Sequence, residues 1–339
     1  MRNKILALLI VFPSVLLSQT KSTGIDVKQN IFKHVELHGF AQATYTETDA
    51  PTSSNTFEMK RVYLIAKVLI NDRWKATLMH DFCSKFQEYY AEYQVTKGKE
   101  LTIEMGQFKT PLTIENPVTP FEIEGIGINT QAVGYLVGGG GDGLYGLSLG
   151  RDLGIMVKGE LFNELVHYDL ALMNGQGINV KDGNNKKDLV GGITLKPIPG
   201  LKIAAFGQKG YGHAIGTNPF NPGIKPGEDY TRDRISAGAE YRRKGFRIRG
   251  EYITGKDGEV KSQGWDIAST IPVAPKLDIV AVYDYLDKNK DMKAYQTNLL
   301  GGVQYWFHGL CRLQLQYMYC MPNLTESNHL LQAQVQFAF

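Results

Sequence analysis

The chain has 339 residues, 43% of them hydrophobic, with 37 lysines and arginines against 34 aspartates and glutamates. Arg2 and Lys4 precede an apolar run from Ile5 to Leu17, followed by Ser18 and Gln19, so residues 1–18 are expected to be a signal peptide cleaved after Ser18. Without Arg2 and Lys4 the basic count falls from 37 to 35 against 34 acidic residues, a balance that excludes a polybasic nucleic-acid binder. No later segment reaches the roughly 20 apolar residues of a spanning helix, which excludes a helical membrane protein.

Residues 19–34 read as a short periplasmic leader. From residue 35 the sequence alternates apolar and polar side chains in segments of about ten residues, as a strand with one lipid face and one wet face must. In chain order the segments fall near 35–46, 57–71, 73–82, 86–96, 100–108, 151–161, 165–174, 188–196, 201–210, 233–243, 246–254, 263–272, 276–286, 296–307, 311–320 and 329–339. Their number is sixteen, and the even count suits a bacterial barrel.

Several segments show the two faces plainly. Val166, Tyr168, Leu170 and Leu172 oppose His167, Asp169 and Ala171, while Ile235, Ala237, Ala239 and Tyr241 oppose Arg234, Ser236, Glu240 and Arg242. Phe246, Ile248, Gly250 and Tyr252 oppose Arg247, Arg249 and Glu251, and Leu313, Leu315, Tyr317 and Tyr319 oppose Arg312, Gln314 and Gln316. Tight turns, such as those at Asn71-Asp72-Arg73, Lys244-Gly245 and His308-Gly309, alternate with mostly longer polar loops. The expected fold is an all-β transmembrane antiparallel barrel over residues 35–339, with both termini periplasmic.

Under this topology Tyr241, Phe246, Tyr305, Phe307, Phe337 and Phe339 fall at the periplasmic boundary, and Tyr45, Tyr252, Tyr283, Tyr285, Tyr317 and Tyr319 at the outer one. Two aromatic girdles are the expectation. The competing reading is a soluble β-sandwich whose aromatics form its core. In the last segment Leu331, Ala333, Val335, Phe337 and Phe339 share a face, with Gln332, Gln334 and Gln336 opposite. That ending resembles the signal read by the outer-membrane barrel assembly machinery, with Phe337 and Phe339 as its aromatic residues.

Cys83, Cys311 and Cys320 form no CxxC motif, and Cys311 and Cys320 would lie about 30 Å apart on one strand, too far for a disulfide. There is no HExxH, GxSxG or Walker loop, and the run from Gly138 to Gly141 continues as Asp142-Gly143 without the GK[ST] that cradles phosphate. The seven histidines are scattered. No enzyme activity, cofactor or metal is therefore expected. An outer-membrane hydrolase would need a nucleophile or acid pair at the outer rim.

Residues 104–137, EMGQFKTPLTIENPVTPFEIEGIGINTQAVGYLV, and the continuation RDLGIMVKGELFNELVHYDLALMNGQGIN resemble the phosphate-selective porin O and P family. The resemblance rests on Gly106, Gln107, Phe108, Lys109, Pro111, Glu115, Arg151, Asp152, Gly154, Asn174, Gly175 and Gly177 in their order and spacing. MKRVYLIAKVLINDRWKATLMHDF, residues 59–82, is similar to the family's early hairpin, with Arg61 and the turn before Trp74 in place. The resemblance implies a homotrimeric porin in the Gram-negative outer membrane, with residues 109–150 folded inward as a constriction loop.

A channel's behaviour depends on the charges that line it. The inward basic candidates are Lys67, Lys75, Lys109, Lys158, Arg234, Arg242, Arg247, Arg249 and Arg312; the acidic ones are Asp81, Glu88, Glu92, Glu104 and Glu115. Closure of sixteen strands would set the acidic segments across the lumen from the tenth and eleventh, giving a transverse field. Alternatively the arginines pair locally with Glu240 and Glu251. The expected function is passive diffusion of small hydrophilic solutes, with anions such as phosphate favoured if the guanidinium groups are free to offer paired donors. Glu115, Glu122 and Glu124 against Lys109 in the candidate loop weigh against that preference. A non-conducting barrel acting as an anchor or adhesin in the lipid bilayer is the alternative.

Overall fold

Alternating side chains let each strand turn one face to lipid and the other to whatever fills the interior, and the backbone takes that solution around a closed ring. The structure, a computed structural model, describes residues 34–50, 54–127 and 129–339. The expected signal peptide and residues 19–33 of the leader lie outside the described residues.

The strands in order are β1 (Val35–Thr48), β2 (Ser54–Leu69), β3 (Trp74–Asp81), β4 (Phe86–Gln94), β5 (Thr102–Lys109), β6 (Arg151–Leu161), β7 (Val166–Met173), β8 (Asp188–Leu195) and β9 (Leu201–Lys209). They continue with β10 (Tyr211–His213), β11 (Asp229–Arg243), β12 (Phe246–Asp257), β13 (Val260–Ala274), β14 (Leu277–Asp287), β15 (Tyr295–His308), β16 (Cys311–Pro322) and β17 (Asn328–Ala338). β10 pairs with β11 alone, and β9 pairs with β11 directly, so the described wall is a sixteen-stranded antiparallel barrel closed by β1 on β17. At the seam Phe40 opposes Ala338 and Thr48 opposes Leu330.

The backbone of the last residue completes that seam. The Phe339 N–H donates to the Gly39 carbonyl at 2.9 Å, and the Gly39 N–H donates back at 3.0 Å. Within the described sixteen-stranded wall, closure leaves no edge strand with unpaired N–H and C=O groups, which hydrocarbon could not satisfy.

Strand boundaries follow the sequence pattern closely at the tight-turn ends, while β1, β2 and β11–β13 run beyond it at their other ends. The polar loop expected between residues 254 and 263 is absent: β12 and β13 run on to a tight turn at Gly258, where φ is +60°. Outside the hydrocarbon layer a strand no longer needs an apolar outer face, so Lys256 can oppose Lys261 while the ladder continues. The alternation disappears there although the hydrogen bonding does not.

Leu170, Ile193, Ile235, Ile248, Leu313 and Leu315 stand exposed on the outer surface, while Arg234, Arg249, Gln314 and Gln316 between them are buried. Exposed aromatics gather toward both ends, with Tyr305, Phe337 and Phe339 at one and Tyr252 and Tyr317 at the other. Phe307 and Phe337 pair edge-on at 5.9 Å, and Trp265 stacks on Tyr283 at 4.7 Å.

Gly106 in β5 shows how tightly one wall is built. Its φ is +140°, and a Cβ there would lie 2.2 Å from the Tyr89 carbonyl oxygen and 2.7 Å from Tyr90 Cα. Both obstacles are backbone, so no side-chain rotation relieves them. Gly106→Ala should destabilise the barrel by about 1–3 kcal/mol. Gly301→Ala, at a position with no atom within 4 Å, should be neutral in the same urea titration in detergent.

Candidate channel lumen and its inward loop

The site is the barrel interior and the segment 110–150 that enters it between β5 and β6. Its base is pinned by Asn116, whose side-chain NH2 donates to the carbonyls of Thr110 and Gly150, each at 2.9 Å. Lys109 Nζ donates to the Asn116 and Val118 carbonyls at 2.6 and 2.9 Å. Lys109 thus ties down the loop's first turn.

One side of the loop is seated by apolar contact. Leu112, Ile114, Val133, Leu136 and Val137 pack with Met156 of β6, Met173 of β7, Val190 of β8, Phe206 of β9 and Ile253 of β12. A short helix, α1 (Gln131–Leu136), approaches the opposite wall at β12–β14. Ala132 comes so close to β13 that a Cβ on Gly264 would lie 2.5 Å from its own Cβ. Gly264 makes that approach possible.

The other side is seated by charge. At the end of α1 the Leu136 carbonyl accepts from Arg232 Nη2 and Arg234 Nε, each at 3.0 Å, so two guanidinium groups satisfy a helix C-terminus. Arg232 also reaches Asp142 at 3.3 Å and lies 3.7 Å over the Tyr145 ring. Arg234 holds Asp257 through two bonds of 2.9 Å. Arg249 meets Glu115 at 2.6 Å and Glu124 at 3.2 Å, while Arg247 meets Glu240 at 2.7 Å and Glu124 at 3.1 Å.

Farther round the wall, Arg312 donates to Gln304 at 2.7 Å and to the Ile123 carbonyl at 3.2 Å. Gln316 donates to the Glu124 carbonyl at 2.6 Å and accepts from the Ile126 N–H at 2.8 Å. Arg61 of β2 donates to the Gly127 carbonyl at 2.5 Å. The loop is therefore tied to strands on every side of the barrel. Burial pushes the phenols of Tyr135 and Tyr145 upward, so both remain neutral within the loop.

The acidic candidates have close partners too. Glu88 pairs with Arg151 at 2.8 Å, and Lys158 bridges Glu92 and Glu104 at 2.8 and 2.5 Å. Asp81 accepts the backbone N–H groups of Val62 and Cys83 at 3.1 and 3.0 Å. Lys67 and Lys75 are exposed beside the β2–β3 turn without an ion pair among the described residues, and Arg242 is exposed 3.5 Å from Glu122. The transverse field expected between β3–β5 and β11–β12 is thus replaced by local pairing. Coulomb energy falls with distance, so a partner near 3 Å outweighs one across the lumen.

Arg232, Asp142, Asp257, Asp266 and Asp284 belong to this interior and were missed from sequence, while Arg61 and Arg151 were read there only as motif residues and not as inward charges. Strand parity would have found Arg232, which shares a face with Arg234, and Asp284, which alternates with the girdle residues Tyr283 and Tyr285. Among the described residues no three His, Cys, Asp or Glu side chains converge to chelate a metal directly.

No protein-family model and no curated protein matches the chain. Solved structures do. An anion-selective porin from Comamonas acidovorans is similar over 90% of this chain and 99% of its own, with 15% identity and a TM-score of 0.67. The outer-membrane channel DcaP of Acinetobacter baumannii aligns over 90% of this chain and 97% of its own, at 11% identity and a TM-score of 0.64. OmpF of Salmonella typhi aligns over 89% and 97%, at 13% and 0.62. The chain has the fold of the outer-membrane porins.

Arg249 is the single group on which the ionic seat turns. Arg249→Ala leaves Glu115 and Glu124 buried with less countercharge and should cost about 3–5 kcal/mol. Adding Glu115→Gln to that variant should recover part of the loss. Urea unfolding of the two single variants and the double variant measures the coupling, and simple additivity would contradict the pairing.

Proposed function

We propose that the chain is an outer-membrane channel of the porin type, passing small hydrophilic solutes by passive diffusion, with residues 110–150 as the loop that sets its opening. The observation that carries this reading is the closed barrel with an apolar exterior and a charged interior into which that loop folds. The porin fold and the aromatic ends, with Phe337 and Phe339 at one of them, support placement in the outer membrane of a Gram-negative bacterium. A homotrimer accords with the porin fold and with the likeness to OmpT of Vibrio cholerae, one structure of which is described as a trimer form.

The resemblance to the phosphate-selective family favours anions, but the interior arginines do not. Arg232, Arg234, Arg247 and Arg249 already hold carboxylates. A guanidinium engaged this way has few donors left for phosphate. We therefore favour broad solute passage over strong phosphate selection.

A non-conducting barrel is the second reading, favoured by one observation: Gln42, Glu115, Arg249 and Gln336 are at most 1% exposed, so little water reaches this part of the interior. Planar-bilayer recordings separate the readings. The native protein should give small conductance steps, and replacing residues 112–148 by a short Gly-Ser linker should enlarge them several-fold. A silent native protein with a conducting variant would favour the plugged barrel, while silence in both would overturn the channel. Reversal potentials strongly favouring phosphate would overturn broad passage.

A further inference from the structure

The outward face of the barrel changes character at the tight-turn end of β11–β14. Ile235, Ala237, Ala239 and Tyr241 of β11 look outward, and Arg243 follows two residues later, so it leaves the wall on the lipid side. Phe246 of β12 is its direct register partner, and the Tyr241 and Phe246 rings lie 6.4 Å apart. Exposed aromatics of this kind mark the level of the lipid headgroups.

Two lysines join Arg243 there. Lys244 and Gly245 make the turn into β12 with φ of +51° and +84°, and Lys276 lies in the turn between β13 and β14 with φ of +66°. A Cβ on Gly245 would lie 3.0 Å from Pro272 Cγ near the end of β13, so the first turn rests against the strand that leads into the second. Two inter-strand spacings of about 4.8 Å separate the turn centres, roughly 10 Å in all. Arg243, Lys244 and Lys276 are exposed and make no ion pair among the described residues; Lys276 reaches the Phe307 carbonyl at 3.5 Å.

Neither backbone conformation nor local pairing accounts for this charge. A left-handed position suits Gly or Asn and strains a lysine, yet two of the three cations occupy one. The nearest carboxylates face the other way: Glu240 is held inside by Arg247, and Asp278 by Gln304 and Trp306. From these turns up to Ile235, Tyr252, Ile267 and Tyr283, the outward positions of β11–β14 carry no acidic side chain. The protein therefore supplies no countercharge on this face.

Resting on the reading that the barrel spans a bilayer, we infer that the β11–β12 and β13–β14 turns form a binding site for the phosphodiester headgroup of an anionic phospholipid in the adjoining leaflet. Arg243 offers paired donors to the phosphate oxygens, and Lys244 and Lys276 add point charges. The acyl chains lie against the outward Ile248 and Ile271, which are 40% and 41% exposed. Such a lipid neutralises the cluster and fixes the depth of this wall in the membrane.

The test follows the unfolding temperature of the full-length protein in zwitterionic detergent while short-chain phosphatidylglycerol, phosphatidylcholine or inorganic phosphate is added. Phosphatidylglycerol should give a saturable rise, and the other two none. Arg243→Gln, Lys244→Asn and Lys276→Asn should each raise the midpoint concentration about fivefold. Asn tolerates the left-handed backbone, so the turns are kept and each variant should unfold at or above the native temperature without lipid. Lys97→Gln, which removes an exposed cation from the β4–β5 turn, should leave the midpoint unchanged. An equal rise with phosphatidylcholine or inorganic phosphate overturns the anionic lipid as occupant. An equal shift in Lys97→Gln overturns the site, since any cation at a turn would then serve, and so does an unchanged midpoint in all three variants. Binding in detergent does not require conduction, so silence in planar bilayers would overturn the channel and leave this site standing.

Discussion

Hydrocarbon offers no hydrogen bonds, so every N–H and C=O that crosses a membrane must find its partner inside the protein. In this chain that constraint is met by closing β1 on β17, and the remaining architecture follows from it. A closed ring forces each strand to have one lipid face and one inner face, which fixes where each arginine and glutamate can go. It also creates an interior that must be filled with water or with protein. Residues 110–150 supply much of the filling.

How the loop is seated reflects two different kinds of attachment. Contacts with β6–β9 are apolar and non-directional, so they favour burial without selecting one arrangement strongly. Contacts with β11–β16 are charged or amide bonds with defined geometry, and they fix the loop's register against the wall. Buried ion pairs bring little net stability, because desolvating both partners offsets most of their attraction. Their contribution here is to specify a single seat: a shifted loop would leave Arg249 or Glu115 buried without a partner.

The wall was legible in the sequence because the signal for a barrel strand is local. Alternation over eight residues, such as Val166 to Met173, needs no knowledge of the rest of the chain. It failed where the lipid layer ends, at 255–262, since polar outer faces erase the alternation. The loop was legible only as a length and a motif. The structure gives several motif residues local tasks: Asp152 accepts the Gly175 N–H at 2.6 Å, and Gln107 accepts the Asn179 N–H at 2.7 Å. Which carboxylate meets which arginine was not legible. Glu115 and Arg249 lie 134 positions apart, and no local pattern records such a contact.

The unequal chemistry of the two seats bears on how the loop could move. Separating the apolar seat exposes hydrocarbon surface to water, a cost proportional to area and nearly independent of salt. Separating the ionic seat exposes charges that water then solvates, so its net cost is smaller and falls as ionic strength rises. The charged seat should therefore release first, with the loop pivoting on its packing against β6–β9 and on the pinned base at Asn116. A passage opened this way would run beside β12–β16, lined by Arg249, Asp266, Asp284 and the glutamines of β16. Its wall would carry Glu251, Asp266 and Asp284, register partners across β12–β14, at the level where the loop had been fastened, so the same residues that hold the loop would meet the solutes that replace it.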